Sequence, residues 1–291
     1  MEKELKKYIE KHHLTQAEIA QKLGVSVAAV NQYLQNKYQG DVSKLDKAVV
    51  DMIKREKLAK ESALDLGFVK TKTASRILEI VGLAHAMNEC HVVIGEAGLG
   101  KTVALKHYAE NHSNVIMLEI DPTYTAKTLL KALCEKLGLQ AGRTNAAMLD
   151  AVVDKLKDSG RLIIVDEAEL LAHQPLEILR RIHDKAGVGL VLAGMPRLRA
   201  NLRGSRGEYK QLYSRVGCCL DLGEKISLED CAQIAQSALQ TSDFNQEFYK
   251  FSKGNTRRLS KLLKGVYRLS MINQRSIESA FIERYAQMLI D

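Results

Sequence analysis

The sequence lacks the features of a membrane-spanning, secreted or disulfide-linked protein. No stretch approaches the roughly 20 apolar residues that a helix needs to cross a bilayer, and residues 1–7 are charged with no apolar segment behind them. We therefore expect no signal peptide, no membrane partner and a cytoplasmic location. The five cysteines show no CxxC spacing and no nearby histidine pair, which supports neither a zinc site nor a disulfide framework. We expect reduced, mostly buried thiols, with Cys218 and Cys219 inside a strand.

Acidic residues are scarce in two segments. The whole chain carries 43 Lys and Arg against 35 Asp and Glu, a formal net charge of +8. Residues 250–277 contain eight Lys or Arg and no acid, and residues 195–215 contain six basic residues and one acid. Clustered positive charge indicates a polyanionic partner, because neutralised phosphates release counterions. A solvated charged face is the alternative for either cluster.

The length and the pattern along the chain predict more than one domain. At roughly 100–200 residues per domain, 291 residues correspond to about two. Residues 1–60 are polar and helical in pattern, and 61–75 form a weakly patterned connector. Residues 76–225 alternate apolar β-branched runs with helical stretches, and 226–291 are helical only. This order predicts a small all-α domain, a linker, an α/β core and a C-terminal helical domain.

The N-terminal block contains the signals of a helix pair. Thr15, followed by Glu18, forms a capping box, Gly24 ends the first helix and Ser26 can cap the second. This spacing resembles a helix-turn-helix of the phage-repressor type, whose second helix, residues 27–35, would enter the major groove. The side chains expected to meet DNA are Ser26, Ala28, Asn31 and Gln32. A helical hairpin used for protein contacts is the alternative. The second helix has no Lys or Arg, which favours weak or shape-based binding over sequence readout.

A phosphate-binding loop follows the first predicted strand, residues 91–94. The next eight residues fit GxxxxGK[ST], and a helix is predicted to start near Lys101, which is the context that supports this motif. Backbone amides and the helix N-terminus favour phosphate, Lys101 reaches the β- and γ-phosphates, and the Thr102 hydroxyl coordinates Mg²⁺. The predicted ATP-binding residues are Gly95, Glu96, Ala97, Gly98, Leu99, Gly100, Lys101 and Thr102.

A second strand, residues 162–165, ends in two acids, Asp166 and Glu167. Its four apolar residues predict a buried central strand with both carboxylates at the edge where ligands bind in open α/β sheets. We expect Asp166 to hold Mg²⁺ through water and Glu167 to polarise the water that attacks the γ-phosphate. Three further strands are predicted at residues 115–120, 189–194 and 216–222. Together they predict a parallel sheet of about five strands with helices on both faces, and an ATPase.

The order of these parts resembles an AAA+ ATPase. Gly254–Leu259 resembles the second sensor motif of that superfamily, in which Arg257 would reach the γ-phosphate from a C-terminal helical lid. Arg215 matches the arginine-finger position, which would complete a neighbouring subunit's site and implies oligomers. A surface salt bridge is the alternative for Arg215. One departure is Met195 at the first sensor position, where a polar residue is usual. Hydrolysis is therefore expected to be slow, or another residue takes that role.

The whole architecture resembles the transposition protein B family of bacteriophage Mu. Supporting segments are residues 36–41, 162–168, 188–194 and 212–216. The resemblance implies ATP-dependent, largely sequence-nonspecific binding of double-stranded DNA as an oligomer or helical filament in the bacterial host cytosol. It also implies delivery of target DNA to a transposase, which stimulates transposition, and release by ATP hydrolysis.

Several side chains are expected to serve that DNA binding. In related DNA-wrapping ATPases the loop after the second strand and the helix behind it contact DNA. Thr123, Tyr124 and Lys127 occupy that region here, and Arg143 follows nearby. The alternative for the last two is an ordinary surface role. A basic loop is suited to a DNA backbone through Arg197, Arg199, Arg203 and Arg206. A helical stripe of Arg257, Lys261, Lys264 and Arg268 lies opposite Leu259, Leu262, Leu263 and Val266.

Three other functions are compatible with parts of this pattern. A replication initiator or helicase loader would use the same ATPase, but the weak base-reading potential of residues 27–35 argues mildly against it. A signalling or secretion ATPase would use the helix-turn-helix only to bind protein, which the two basic clusters oppose. A one-component repressor has no need of Glu167 or Arg215.

Overall fold

The computed structural model describes the backbone of residues 1–61, 64–204 and 213–289, and the side chains of these residues apart from 58–61. The chain forms two compact units, Met1–Leu64 and Asp65–Asp291. Within the described residues, no helix combines the length and the apolar character that a membrane crossing requires.

The N-terminal unit is a cluster of four helices: α1 Glu2–His12, α2 Gln16–Leu23, α3 Val27–Leu34 and α4 Val42–Glu61. The capping box predicted at α2 is present, since Thr15 Oγ1 accepts from the Glu18 amide at 3.3 Å and Glu18 Oε2 accepts from the Thr15 amide at 2.7 Å. Gly24 ends α2 at φ 67°, and Ser26 Oγ caps α3 by accepting from the Ala29 amide at 3.2 Å. The core comprises Leu5, Ile19, Ala20, Val30, Tyr33, Leu45, Val49 and Met52.

A five-stranded parallel sheet organises the second unit. Its strands are β1 Cys90–Ile94, β2 Val115–Glu119, β3 Leu162–Asp166, β4 Gly189–Gly194 and β5 Val216–Asp221, in the spatial order β2-β3-β4-β1-β5. All four strand pairings are parallel, so the carboxyl ends of the strands share one edge. The inner strands β1, β3 and β4 are wholly buried, as expected for apolar runs covered on both faces.

Helices cover both faces of the sheet, as the sequence predicts. They are α5 Lys72–Met87, α6 Lys101–Glu110, α7 Ala126–Lys136, α8 Asn145–Leu156, α9 His173–Ala186 and α10 Arg197–Arg203. Successive strand side chains point to opposite faces, so Val92 joins a core with α7 to α10 and Val93 joins a second core with α5 and α6.

Four C-terminal helices complete the unit: α11 Leu228–Leu239, α12 Asn245–Ser252, α13 Thr256–Asn273 and α14 Ser279–Met288. The amphipathic pattern predicted for α13 is confirmed. Leu259, Leu262, Leu263 and Val266 are fully buried, whereas Arg257, Lys261, Lys264 and Arg268 are exposed. This helix therefore packs through one face and presents positive charge on the other.

Three of the five cysteines are buried, as expected for mostly buried thiols. Cys90, Cys134 and Cys231 are buried, but Cys218 and Cys219 are exposed. The adjacent pair does lie in a strand, β5, as predicted. Its exposure accompanies the position of β5 at the sheet edge, where it pairs with β1 alone among the described strands.

Candidate nucleotide site and DNA-facing residues

The phosphate loop connects β1 to α6 and is held at its first residues by backbone hydrogen bonds. The Gly95 amide donates to the Gly194 carbonyl at 3.2 Å, and the Glu96 amide donates to the Gly223 carbonyl at 3.1 Å. Gly100 then forms the N-cap of α6 at φ 85°. The loop therefore ends at a helix N-terminus, where free amides and the helix dipole favour an anion.

Lys101 is a nearly buried cation, with 9% of its surface exposed. Its Nζ donates to the Gly95 carbonyl at 2.6 Å and to the Glu96 carbonyl at 3.0 Å. Burial lowers the pKa of Lys101, while the nearby Asp166 and Glu169 carboxylates act in the opposite direction. Within the described part of the chain, this ammonium is hydrogen-bonded only to neutral carbonyls, which fits a phosphate chain as its counterion.

Asp166 and Thr102 lie together across the same loop. Thr102 Oγ1 donates to Asp166 Oδ2 at 2.6 Å, and Asp166 is 2% exposed. The described residues contain no group of three His, Cys, Asp or Glu side chains that would form a protein-only metal cage. Because Mg²⁺ in nucleotide sites takes most of its ligands from phosphate and water, a hydroxyl beside a single carboxylate fits that ion.

The loop and the strand ends enclose a cavity of about 260 Å³. It brings together nine of the predicted site residues, including Lys101, Thr102, Asp166, Glu167 and Arg257. Two further charged residues, Glu169 and Arg197, also line it, and no sequence signal assigned them to this cavity. The lining residues are Ala97, Gly98, Leu99, Gly100, Lys101, Thr102, Val103, Asp166, Glu167, Glu169, Leu170, Gly194, Met195, Arg197, Thr256 and Arg257.

The two glutamates after β3 differ in their surroundings. Glu167 is exposed and has a left-handed backbone at φ 56°, an uncommon conformation for a residue other than glycine. Glu169 is 8% exposed, and its Oε2 has no hydrogen-bond partner within the described residues. A side chain at position 194 would collide with this carboxylate, since a Cβ there would lie 2.1 Å from Glu169 Oε2.

The C-terminal helices contact the phosphate loop directly. The Thr256 amide donates to the Gly98 carbonyl at 2.7 Å, and Asn255 Nδ2 donates to the Ala97 carbonyl at 2.9 Å. Asn255 Oδ1 also caps α13 by accepting from the Arg258 amide at 3.1 Å. The first turn of α13 is thereby seated on the loop, which places Arg257 at the cavity.

Replacing Gly98 by alanine is expected to break this contact. Gly98 has φ 82°, and a Cβ on it would lie 2.3 Å from Asn255 Nδ2. We expect a backbone cost of about 1–2 kcal/mol plus about 0.5–1.5 kcal/mol for the lost hydrogen bond. Urea unfolding without nucleotide measures the loss of unfolding free energy.

Gly100→Ala is the matched control for that substitution. Gly100 has φ 85°, but a Cβ on it would meet nothing within 4 Å. It therefore carries the backbone strain without the collision. Equal losses for the two variants would show that the Asn255 contact adds no stability.

A second cavity, of about 250 Å³, adjoins the first and shares Leu99, Gly100, Val103 and Thr256 with it. Its other lining residues are mostly apolar. They come from the segment before α5, the first turn of α5, the residue Ile226 before α11, and the C-terminal helices: Leu66, Gly67, Phe68, Val69, Thr71, Ala74, Ile226, Asp230, Ile234 and Ser260. Asp230 ties these segments together, since its carboxylate accepts from the Lys72 amide at 2.9 Å.

Arg215 does not line the nucleotide cavity of its own chain. Its Nε lies 3.1 Å from Asp184 Oδ1, and about half of the side chain is exposed. The surface ion pair that the sequence left as an alternative is therefore present. The role of Arg215 in a neighbouring subunit's site stays a prediction.

The residues expected to face DNA in the helix-turn-helix are all exposed, namely Ser26, Ala28, Asn31 and Gln32. In the second unit, Thr123, Lys127 and Arg143 are exposed. Thr123 Oγ1 donates to Asp121 Oδ1 at 2.5 Å, which helps to lower the pKa of that carboxyl. Tyr124 is half-buried and packs against the main core, so little of its ring is available to a partner.

The arginines of the predicted basic loop have different surroundings in the structure. Arg197 lines the nucleotide cavity. Arg199 lies 3.4 Å from Asp221 Oδ2, and Arg203 donates to the Tyr213 hydroxyl at 2.9 Å. Arg206 falls outside the described residues.

Comparisons with known proteins agree with this geometry. Residues 86–202 match the AAA domain family and residues 5–48 match a helix-turn-helix family. The fold is similar to that of the *Aeropyrum pernix* ORC2 protein in its ADPNP–ADP complexes, with a TM-score of 0.59 and 17% identity over 80% of this chain and 72% of that one. It is also similar to a *Thermotoga maritima* RuvB mutant, with a TM-score of 0.52 and 17% identity over 78% and 73%. Residues 86–202 therefore form an AAA P-loop ATPase domain, and residues 5–48 form a helix-turn-helix.

Two curated relatives make the assignment more particular. The Mu-like prophage FluMu DNA transposition protein B of *Haemophilus influenzae* is 29% identical over 246 residues, 82% of this chain and 85% of that protein. The ATP-dependent target DNA activator B of Escherichia phage Mu is 29% identical over 218 residues, 73% of this chain and 69% of that protein. The resemblance to the Mu transposition protein B family is confirmed.

Proposed function

We propose that this protein is an ATP-dependent, largely sequence-nonspecific DNA-binding ATPase that assembles on target DNA and delivers it to a transposase. The observation that carries the proposal is a cavity that joins a phosphate loop, an acidic strand end and Arg257 in a chain that also contains a helix-turn-helix. The printed names of two relatives, a DNA transposition protein and an ATP-dependent target DNA activator, support the role in transposition.

The side chains that line the cavity have different chemical roles. Lys101 and the amides of the loop would bind the phosphates, while Thr102 and Asp166 would hold Mg²⁺. When bound, MgATP supplies the activated γ-phosphoryl group. Glu167 orients and polarises the attacking water, and Arg257 brings the C-terminal helices to the site as a lid. Met195 offers no polar side chain at the end of β4, which supports slow hydrolysis.

The second cavity is where we place the base of ATP. It adjoins the phosphate loop, is lined mainly by apolar side chains, and includes residues 66–69, whose backbone groups can read the base edge. Because residues of α11 and α13 also line it, base binding would draw the C-terminal helices and the core together.

The DNA-binding surfaces support contact with the backbone more than with base edges. The exposed residues of α3 include no Lys or Arg, and Asn31 Oδ1 already accepts from Gln35 Nε2 at 3.0 Å. Phosphate contacts position a protein on DNA without reading its sequence. The exposed Thr123, Lys127 and Arg143 in the ATPase unit fit the same kind of contact.

The deciding experiment measures binding to random-sequence duplex DNA with and without ATP, together with assembly size. Lys101→Ala removes the buried cation and should weaken ATP binding by about 10- to 100-fold, since hydrogen bonds to charged groups contribute about 1.5–3 kcal/mol. We expect it to abolish the ATP-dependent assemblies that the wild type forms on any duplex.

Lys106→Ala serves as the control for Lys101→Ala. Lys106 lies on the same helix, is exposed and pairs with Glu119 at 2.9 Å outside the cavity. It should behave like the wild type. Binding that ignores ATP, or that demands one DNA sequence, would contradict the proposal and favour a replication initiator or helicase loader.

A further inference from the structure

The end of β4 carries no polar side chain that could contact a phosphate or a water. Its last residues are Ala193 and Gly194, and Met195 follows. Gly194 has no room for a side chain because Glu169 occupies that space. The group that reads the terminal phosphate from this wall of the cavity must therefore come from another position.

Arg197 stands on the same wall, two residues further on. It lines the nucleotide cavity together with Lys101, Glu167 and Arg257. Its backbone is well anchored, since Leu198 and Leu202 are buried in the main core at 0% and 1% exposure. Asn201 Nδ2 also donates to the Glu169 carbonyl at 2.9 Å, which ties α10 to the turn after β3.

The guanidinium of Arg197 is exposed and makes no ion pair or hydrogen bond within the described residues. The other two arginines of α10 differ from it, because Arg199 faces Asp221 and Arg203 faces Tyr213. Arg197 is therefore the arginine of this helix that is available to a ligand in the cavity.

The charges that line the cavity favour a role for Arg197 in binding the nucleotide. The lining includes three cations, Lys101, Arg197 and Arg257, and three carboxylates, Asp166, Glu167 and Glu169. These charges balance only when Arg197 is included, and MgATP brings further negative charge. Glu169 is buried with an unpartnered Oε2, so it disfavours a terminal phosphate on its side of the cavity unless a cation lies nearby.

We propose that Arg197 contacts the terminal phosphate of ATP bound to its own chain and so takes the place of the missing polar sensor. This role rests on the proposed ATP-binding function and adds a residue to it. An arginine fork donates two hydrogen bonds to one phosphate. Because a diphosphate lacks the terminal phosphate, this contact distinguishes a triphosphate from a diphosphate.

The test compares the affinity of a non-hydrolysable ATP analogue, AMP-PNP, with that of ADP, both with Mg²⁺ and without DNA. Calorimetry on Arg197→Ala should show AMP-PNP binding weakened roughly 10-fold, a change of about 1.4 kcal/mol, with ADP affinity changed by less than about 2-fold. Arg197→Lys keeps the charge and loses the fork, so its affinity for AMP-PNP should lie between that of the wild type and that of Arg197→Ala. Arg181→Ala removes an exposed arginine of α9 outside the cavity and should match the wild type.

The outcomes distinguish failure of the role proposed for Arg197 from failure of the proposed ATPase function. Equal weakening for both nucleotides, or no weakening for either, overturns the role of Arg197. A wild type that binds neither nucleotide overturns the proposed ATPase function itself. If Arg197→Ala does not fold, as judged by thermal unfolding without nucleotide, the same selective loss must be present in Arg197→Lys.

Discussion

Glu167→Gln is expected to slow ATP hydrolysis by roughly 10²- to 10⁴-fold while leaving nucleotide binding almost unchanged. Glu167 lines the cavity at the carboxyl end of β3, beside the Asp166 and Thr102 pair. Glutamine keeps the size of the side chain but cannot accept a proton from water. The contacts of Lys101 with the loop do not involve this residue, so the ATP-bound state should form and then persist.

The consequence for DNA is what makes this variant informative. If hydrolysis drives release, the variant should remain on DNA long after the wild type has dissociated. A fluorescent duplex, chased with unlabelled DNA in the presence of ATP, measures the dissociation rate. Glu79→Gln, which removes an exposed carboxylate from α5 outside the cavity, should release DNA like the wild type. Unchanged dissociation by Glu167→Gln would show that release does not depend on hydrolysis.

Arg215→Ala has the second large expected effect, confined to the assembled protein. Arginine fingers that act from a neighbouring subunit contribute about 10³–10⁵ in the rate of other NTPases. Arg215 is half-exposed and absent from its own cavity, which fits a role in another subunit's site. Hydrolysis by assemblies on DNA should therefore fall steeply, while AMP-PNP binding by the isolated chain is retained.

Mixing two inactive variants tests that role directly. In a mixture of Arg215→Ala and Glu167→Gln, a Glu167→Gln subunit still supplies its arginine to an Arg215→Ala neighbour with an intact cavity. Activity should reappear in the mixture although neither variant hydrolyses ATP alone. No recovery would argue against a finger acting between subunits.

Asp184→Asn tests whether Arg215 contributes to ATP hydrolysis directly or only to the stability of the fold. It weakens the ion pair that holds Arg215 without removing the guanidinium. An exposed pair of this kind contributes only about 0–1 kcal/mol. If Asp184→Asn lowers hydrolysis as much as Arg215→Ala does, the arginine acts through folding and not through chemistry.

Local patterns were enough to predict the elements that carry the phosphates. The capping box of Thr15, the loop that ends at Gly100 and the strand that ends at Asp166 depend on residues within a few positions of one another. Such signals act through hydrogen bonds and backbone preferences that each short segment makes by itself. The α/β class follows as well, because apolar runs that alternate with helical stretches can be buried only in a covered parallel sheet.

The surroundings of particular side chains depended on contacts between segments far apart in the chain. The sequence places Cys218 and Cys219 in a strand, but their exposure depends on the position of β5 at the sheet edge. Asn255 meets the Ala97 carbonyl across 158 residues, and Arg197 reaches the nucleotide cavity only because α10 is anchored in the core.

The amino-acid sequence alone thus established the class of protein and the phosphate-binding chemistry, because both depend on short motifs whose hydrogen bonds form locally. The packed molecule alone decided which arginine faces the nucleotide, which thiols face solvent and how the C-terminal helices meet the loop. The physical reason is that burial and charge pairing depend on the whole set of neighbours. That set exists only once the strands have taken the order β2-β3-β4-β1-β5.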